Sequence, residues 1–154
     1  MPTTRPAEIV YNTPPPWDEA SETAVLGSCF VDFDAISKVA NHLKAADFYR
    51  EKNQWVWAAM LKLYKDGKPT NQIIVAHALA GEGSKGISKL KAMGGAAYIS
   101  YCIDQTPTSV HIKYYADIVK DCSERRQKLI RASQLVKEAY SPTHSPKRIG
   151  VKID

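Results

Sequence analysis

The 154 residues suffice for one domain with its own hydrophobic core and leave little room for a second. With 44% hydrophobic and 24% charged residues the composition is that of a globular chain, which excludes wholesale disorder, and no apolar run approaches the roughly 20 residues that span a bilayer. The formal charge of +5 arises entirely from His111 onward, where ten Lys/Arg meet five Asp/Glu; the eleven basic and eleven acidic residues before it cancel.

In chain order, residues 1–16 carry prolines at 2, 6, 14, 15 and 16 and read as a flexible, extended arm. Asp18 is placed to cap a helix over Glu19–Phe30, with Ala20, Ala24, Val25 and Leu26 at helical spacing and Gly27 weakening its end. Asp32-Phe33-Asp34 opens a short second helix with Ile36, Val39, Ala40 and Leu43 on one face, the two acids complementing its dipole. Phe48, Trp55, Val56, Ala59, Met60, Leu63 and Tyr64 mark a third, stopped by Asp66-Gly67-Lys68-Pro69. That stripe makes Trp55 core and turns Trp57 elsewhere, as a candidate contact residue.

A fourth helix runs from about Asn71 to Ala80, with Ile74, Val75, Ala78 and Leu79 inward, and Gly81–Gly86 reads as a glycine-rich turn. Ala96–Ile103 is a further helix, broken at Thr106-Pro107-Thr108. The longest runs from Val110 to Tyr140, its stripe formed by Tyr115, Val119, Cys122, Leu129, Val136 and Tyr140 with polar Arg126 and Ser133 on the same line. From Ser141 to Asp154 there are prolines, Lys147, Arg148 and no periodicity, so a disordered basic tail is expected. No stretch sustains strand alternation. The expected fold is all-α: a compact multi-helix head over 17–109, then a long helix over 110–140.

Little in this order specifies chemistry. Gly81-Glu-Gly83-Ser-Lys-Gly86 matches the dinucleotide string, but a helix stands where the motif needs a strand, and Ile87-Ser88 replaces the Lys-Ser/Thr of a phosphate-binding loop. His42, His77, His111 and His144 lack metal-ligand spacing, and Cys29, Cys102 and Cys122 form no pair, so each cysteine is expected to behave as a small buried hydrophobe. Neither a catalytic group, a metal nor a cofactor is indicated. The opening residues lack the layout of a secretory signal, which makes the cytoplasm the expected location and no membrane the expected partner.

Five blocks nevertheless resemble DnaB-type replicative DNA helicases. They are Pro15-Pro16 with Glu22-x-x-Val25-Leu26-Gly27; Asp47-Phe48-Tyr49-Arg50 with Gly67-x-Pro69; Gly94-Gly95-x-x-Tyr98-Ile99; Thr106-Pro107-Thr108; and Tyr114-Tyr115-Ala116-Asp117-Ile118-Val119. Together they cover about residues 15 to 140, in the family's order. The resemblance is to the amino-terminal domain and implies a helical head followed by a helical hairpin, of which the long helix is the first half. It implies self-association as dimers and a trimer of dimers, binding of a DnaG-type primase and in some systems a helicase loader, and DNA met only indirectly. ATP and magnesium belong to the family's motor, which these residues do not include.

Three features depart from the family: Glu19-Ala20 in place of an apolar residue and Glu, the stretch Lys85–Leu90, and Ser141-Pro-Thr-His-Ser-Pro where the second hairpin helix would start. The chain is therefore expected to be a helicase fragment or a free-standing relative, for example from a phage, that regulates loading. Partner or self-association contacts are expected at Tyr98, Tyr115, Val119, Leu129, Leu135 and Val136. A nucleic-acid-binding module using Lys120, Arg125, Arg126, Lys128 and Arg131 is the remaining alternative, recognisable by steep salt dependence.

Overall fold

The computed structural model describes residues 13–81 and 83–142, the side chains of 87 and 88 apart. Most of the proline-rich arm and the tail beyond Pro142 lie outside the described residues. Within them the structure is helical with no strand. The helices are α1 (Glu19–Val31), α2 (Glu51–Lys65), α3 (Gln72–Ala80), α4 (Ser84–Ala92), α5 (Gly95–Asp104) and α6 (Ile112–Tyr140). Two short 3-10 turns, Ala35–Lys38 and Ala45–Asp47, connect α1 to α2. None of the described helices is long and apolar enough to cross a membrane.

The chain divides into two compact units, residues 16–124 and residues 1–15 with 125–154; α6 crosses the boundary. In the first unit α1 is the central helix, and every residue from Ser21 to Phe30 is buried. The Asp18 side chain caps it by accepting the Ser21 amide at 2.8 Å, as the sequence suggested. Gly27 does not end the helix. A Cβ there would stand 2.0 Å from Thr106 Oγ1 and 2.3 Å from the Cys102 carbonyl oxygen, so the missing side chain is what lets α1 and α5 approach. Thr106 Oγ1 in turn donates to that carbonyl at 2.8 Å.

The short second helix reduces to the 3-10 turn at Ala35–Lys38, although Ile36, Val39 and Leu43 are core as their spacing indicated. Asp32 and Asp34 act locally rather than on a dipole: Asp32 accepts the Asp34 amide at 3.0 Å and the Ser109 hydroxyl at 3.1 Å. The end of α2 is closed by the Lys68 amide on the Leu63 carbonyl at 2.8 Å, a geometry Gly67 allows with φ of +71°. Asn71 caps α3 through the Ile74 amide at 3.0 Å.

The two tryptophans exchange the roles their spacing suggested. Trp57 is fully buried beside Phe48, centroids 5.5 Å apart, and its indole N–H donates to the Leu43 carbonyl at 3.2 Å. Trp55 is half-buried at the core margin. The buried face of α2 consists of Asn53, Val56, Trp57, Met60 and Leu63, a row that a polar residue opens. The glycine-rich turn is also shorter than expected, because helix resumes at Ser84 and Gly86 is buried inside α4.

Burying a methyl group between two helix backbones should cost about 2–3 kcal/mol. Gly27→Ala is therefore expected to lower the urea midpoint of unfolding. Adding Thr106→Ala should restore only part of the loss, since the Cys102 carbonyl would still oppose the new methyl.

Candidate functional site

Arg50, the residue at the start of α2, makes no side-chain cap, and Glu22 reaches across from α1 to take the two amides just ahead of the helix. Its carboxylate accepts the Tyr49 amide at 2.8 Å, the Arg50 amide at 3.4 Å and Asn53 Nδ2 at 2.8 Å, and the residue is only 1% exposed. Asn53 is buried too, and its Oδ1 accepts the Tyr98 hydroxyl from α5. Three of the sequence blocks thus meet, the Tyr49 and Arg50 amides and Tyr98 being joined through Glu22 and through Asn53, a residue outside the blocks. The individual side chains gave no hint of this, because buried polar pairing between distant segments leaves no periodic signal.

Tyr98 is half-buried, with Lys52 Nζ 3.8 Å from its ring centroid and the Tyr101 ring stacked at 6.2 Å. Burial and the neighbouring Cys102 push the phenol well above its ordinary range, so it remains a donor at neutral pH. Burial also raises Cys102 to about 11, and the three cysteines are buried and form no disulfide, as expected of small hydrophobes.

A second polar cluster ties α6 to the loop before α2. Asp47 accepts the Lys44 amide at 2.8 Å, the Ser123 hydroxyl at 2.7 Å and the Lys120 ammonium at 3.2 Å. Burial alone would raise its carboxyl, but the Lys44 amide, Ser123 and Lys120 together outweigh that and hold it below its ordinary value of 3.8. His42 adds a contact to Asp117 at 3.1 Å on the same helix. Lys120, assigned to nucleic acid in one sequence reading, is therefore half-buried and committed to Asp47.

The remaining candidates separate along α6. Val119 is 1% exposed and packs with Ile112 and Ala116 in the core, so it cannot belong to an open seam; Tyr115 lies half-buried against that core. Beyond residue 124, Leu129 and Val136 are half-buried, Leu135 is 65% exposed, and Arg125, Lys128 and Arg131 are exposed with Arg126 half-buried. Arg125 and Arg126 already have interactions within the chain.

Among the described residues no three His, Cys, Asp or Glu side chains gather as a metal site would require. His77 lies at the edge of an open cleft of about 540 Å³ with a floor of Ala59, Leu63, Ile74 and Ala78, and His111 is exposed; His144 lies outside the described residues. The glycine string at 81–86 lies between α3 and α4, its last residues inside a helix, without the preceding strand that phosphate binding would use. The arrangement offers packing and recognition surfaces rather than a reaction centre.

Comparison with known proteins agrees with that character. The family model described as the DnaB-like helicase N terminal domain matches residues 14–121. The replicative DNA helicase DnaB of Mycobacterium leprae is 34% identical over 131 residues, covering 85% of this chain and 21% of that protein. Its counterpart from Geobacillus stearothermophilus is 31% identical over 135 residues, 88% of this chain and 29% of that protein. The chain thus spans between a fifth and a third of the length of these curated relatives. The crystal structure of the N-terminal domain of DnaB helicase from Mycobacterium tuberculosis superposes with a TM-score of 0.77 at 35% identity, covering 82% of this chain and 87% of that one. The Helicobacter pylori DnaB N-terminal domain, described together with its interactions with primase, shares the fold with a TM-score of 0.63 at 20% identity, over 79% of this chain and 91% of that one.

Two outcomes follow from the polar clusters. Glu22→Gln puts an amide group against N–H donors and should cost about 2–3 kcal/mol in urea unfolding, with the helical circular dichroism of the folded state retained. For Asp47 the depressed carboxyl contributes stability that is present above pH about 4 and lost as pH falls through the lower folded-state value. Asp47→Asn should therefore be less stable than the parent at pH 7, and the gap should narrow at pH 3.

Proposed function

The chain belongs to the family of DnaB-like helicase N-terminal domains, and from that premise we propose that it is an assembly and primase-docking head of a replicative helicase. These residues cover the amino-terminal domain alone, without the motor, and so are not themselves a helicase. On this reading ATP and magnesium act in the motor portion of the relatives, and this segment binds neither. Its work is done at the replication fork in the cytoplasm, through copies of itself, a DnaG-type primase and in some systems a loader. DNA is met only indirectly.

The observation that carries the reading is the second half of α6. Ile130, Leu135 and Tyr140 are 50%, 65% and 73% exposed on a helix whose first half is core. Large apolar side chains exposed in that number, on more than one side of a helix, are characteristic of positions that protein partners cover. The related Helicobacter pylori domain, described with primase, supports primase as one such partner. The basic residues of the same half, exposed Lys128 and Arg131 among them, favour nucleic acid as the second reading.

Calorimetric titration with the C-terminal domain of the cognate primase distinguishes them. Binding is expected, and Leu135→Glu should raise Kd about tenfold or more, because a charge replaces an apolar anchor. No binding by the full chain would overturn the primase assignment. Anisotropy of a labelled oligonucleotide that rises at low salt and collapses as salt is added would favour the second reading instead.

A further inference from the structure

The stretch after Gly83 forms the most one-sidedly charged helix of the head. α4, Ser-Lys-Gly-Ile-Ser-Lys-Leu-Lys-Ala, carries Lys85, Lys89 and Lys91 and no acidic residue. Lys85 and Lys89 are four apart and so share a helix face. They line an open cleft of about 530 Å³ with Trp55, Glu51 and Ala92. Lys89 Nζ lies 5.9 Å from the Trp55 ring centroid, which places an ammonium group and an aromatic surface at one site. Trp55 is half-buried, and its indole N–H has no acceptor among the described residues, whereas that of Trp57 is satisfied in the core.

We propose that the Trp55–Lys85–Lys89 cleft is a docking site for an acidic peptide segment of a partner protein, one that alternates carboxylates with apolar side chains. The lysines would take the carboxylates, the indole N–H a further acceptor, and the Trp55 ring with Ala92 an apolar anchor. The chemistry favours a peptide over a nucleic-acid strand for two reasons. Strand binding relies on aromatic rings repeated along a basic groove, and this cleft has a single ring. Glu51 on the lining repels carboxylates and phosphates alike, but it can accept an N–H, which a peptide backbone offers at nearly every residue and a phosphodiester backbone at none. The site uses none of the α6 residues proposed above for primase, so either assignment can fail while the other stands.

The test uses the full chain and two labelled probes at low salt: a short peptide alternating aspartate or glutamate with leucine, and an oligothymidylate. The peptide should bind, quench or shift the Trp55 emission, and bind the doubly substituted Lys85→Glu/Lys89→Glu protein at least about tenfold more weakly, the loss expected for reversing two charges at an interface. The neutral pair Lys85→Gln/Lys89→Gln should give an intermediate loss and guards against misfolding of the reversed protein. Lys65→Glu/Lys113→Glu changes the net charge equally and should leave the affinity within about twofold. Three results would overturn the proposal: no peptide binding, equal weakening by both charge-reversal pairs, or tighter binding of the oligothymidylate with the same dependence on Lys85 and Lys89.

Discussion

The head is organised around the reach of Glu22 from α1 to the start of α2. A carboxylate buried to 1% exposure survives in a protein interior only when its oxygens are used, and here they receive two backbone amides and the Asn53 side chain. The amides lie at the positive end of α2, so the dipole and the hydrogen bonds act in the same direction. Arg50, at the capping position, offers no side-chain acceptor of its own. α2 therefore starts where it does because α1 is present. That requirement fixes one side of α1, and the Gly27 contact with α5 fixes another.

A helix held in this way has no surface of its own, which explains why ten consecutive residues of α1 are buried, including Ser21, Glu22, Thr23 and Ser28. The polar members are satisfied locally or by neighbours: Ser28 donates to the Ala24 carbonyl at 2.6 Å, and the Cys29 carbonyl accepts Thr70 Oγ1 at 2.7 Å. Among the described residues no buried side-chain polar atom lacks a partner. Such networks resist substitution one member at a time, since removing a partner strands the other. The Asp47 cluster works similarly at the base of α6 and draws its first half into the head.

The helices themselves were legible because capping and stop residues are local. Asp18, Asn71 and Gly67 each announce an end through their own backbone or side chain, and the three cysteines behaved as their spacing implied. What spacing could not supply was the phase of α2. Phe48 was counted on its stripe although it precedes the helix, and polar Asn53, which begins the buried row, has no place in an apolar stripe. The result placed Trp55 inside and Trp57 outside. Gly81, Gly83 and Gly86 misled for a related reason, since a glycine buried within a helix looks in sequence like one in a turn. The blocks holding Glu22, Tyr49-Arg50 and Tyr98 were recognised as a resemblance, but the hydrogen-bond chain that joins them through Asn53, which lies in none of them, links residues up to 45 apart and needed three dimensions.

The same geometry constrains what α6 can offer a partner. At 3.6 residues per turn, Arg126, Leu129, Ser133 and Val136 fall on one side, and with Ala132 they are the half-buried positions of that half of the helix. Ile130, Leu135 and Tyr140 are each five residues from the next, so successive members turn by roughly 140° and share no face. A single flat contact would cover one of them and leave the others in water. A helix apolar on several sides is instead suited to more than one neighbour, for example a second helix along Leu129 and Val136 and a different protein over Leu135. The function proposed above requires that separation, because a surface that builds an assembly cannot be the one left open to receive a further partner.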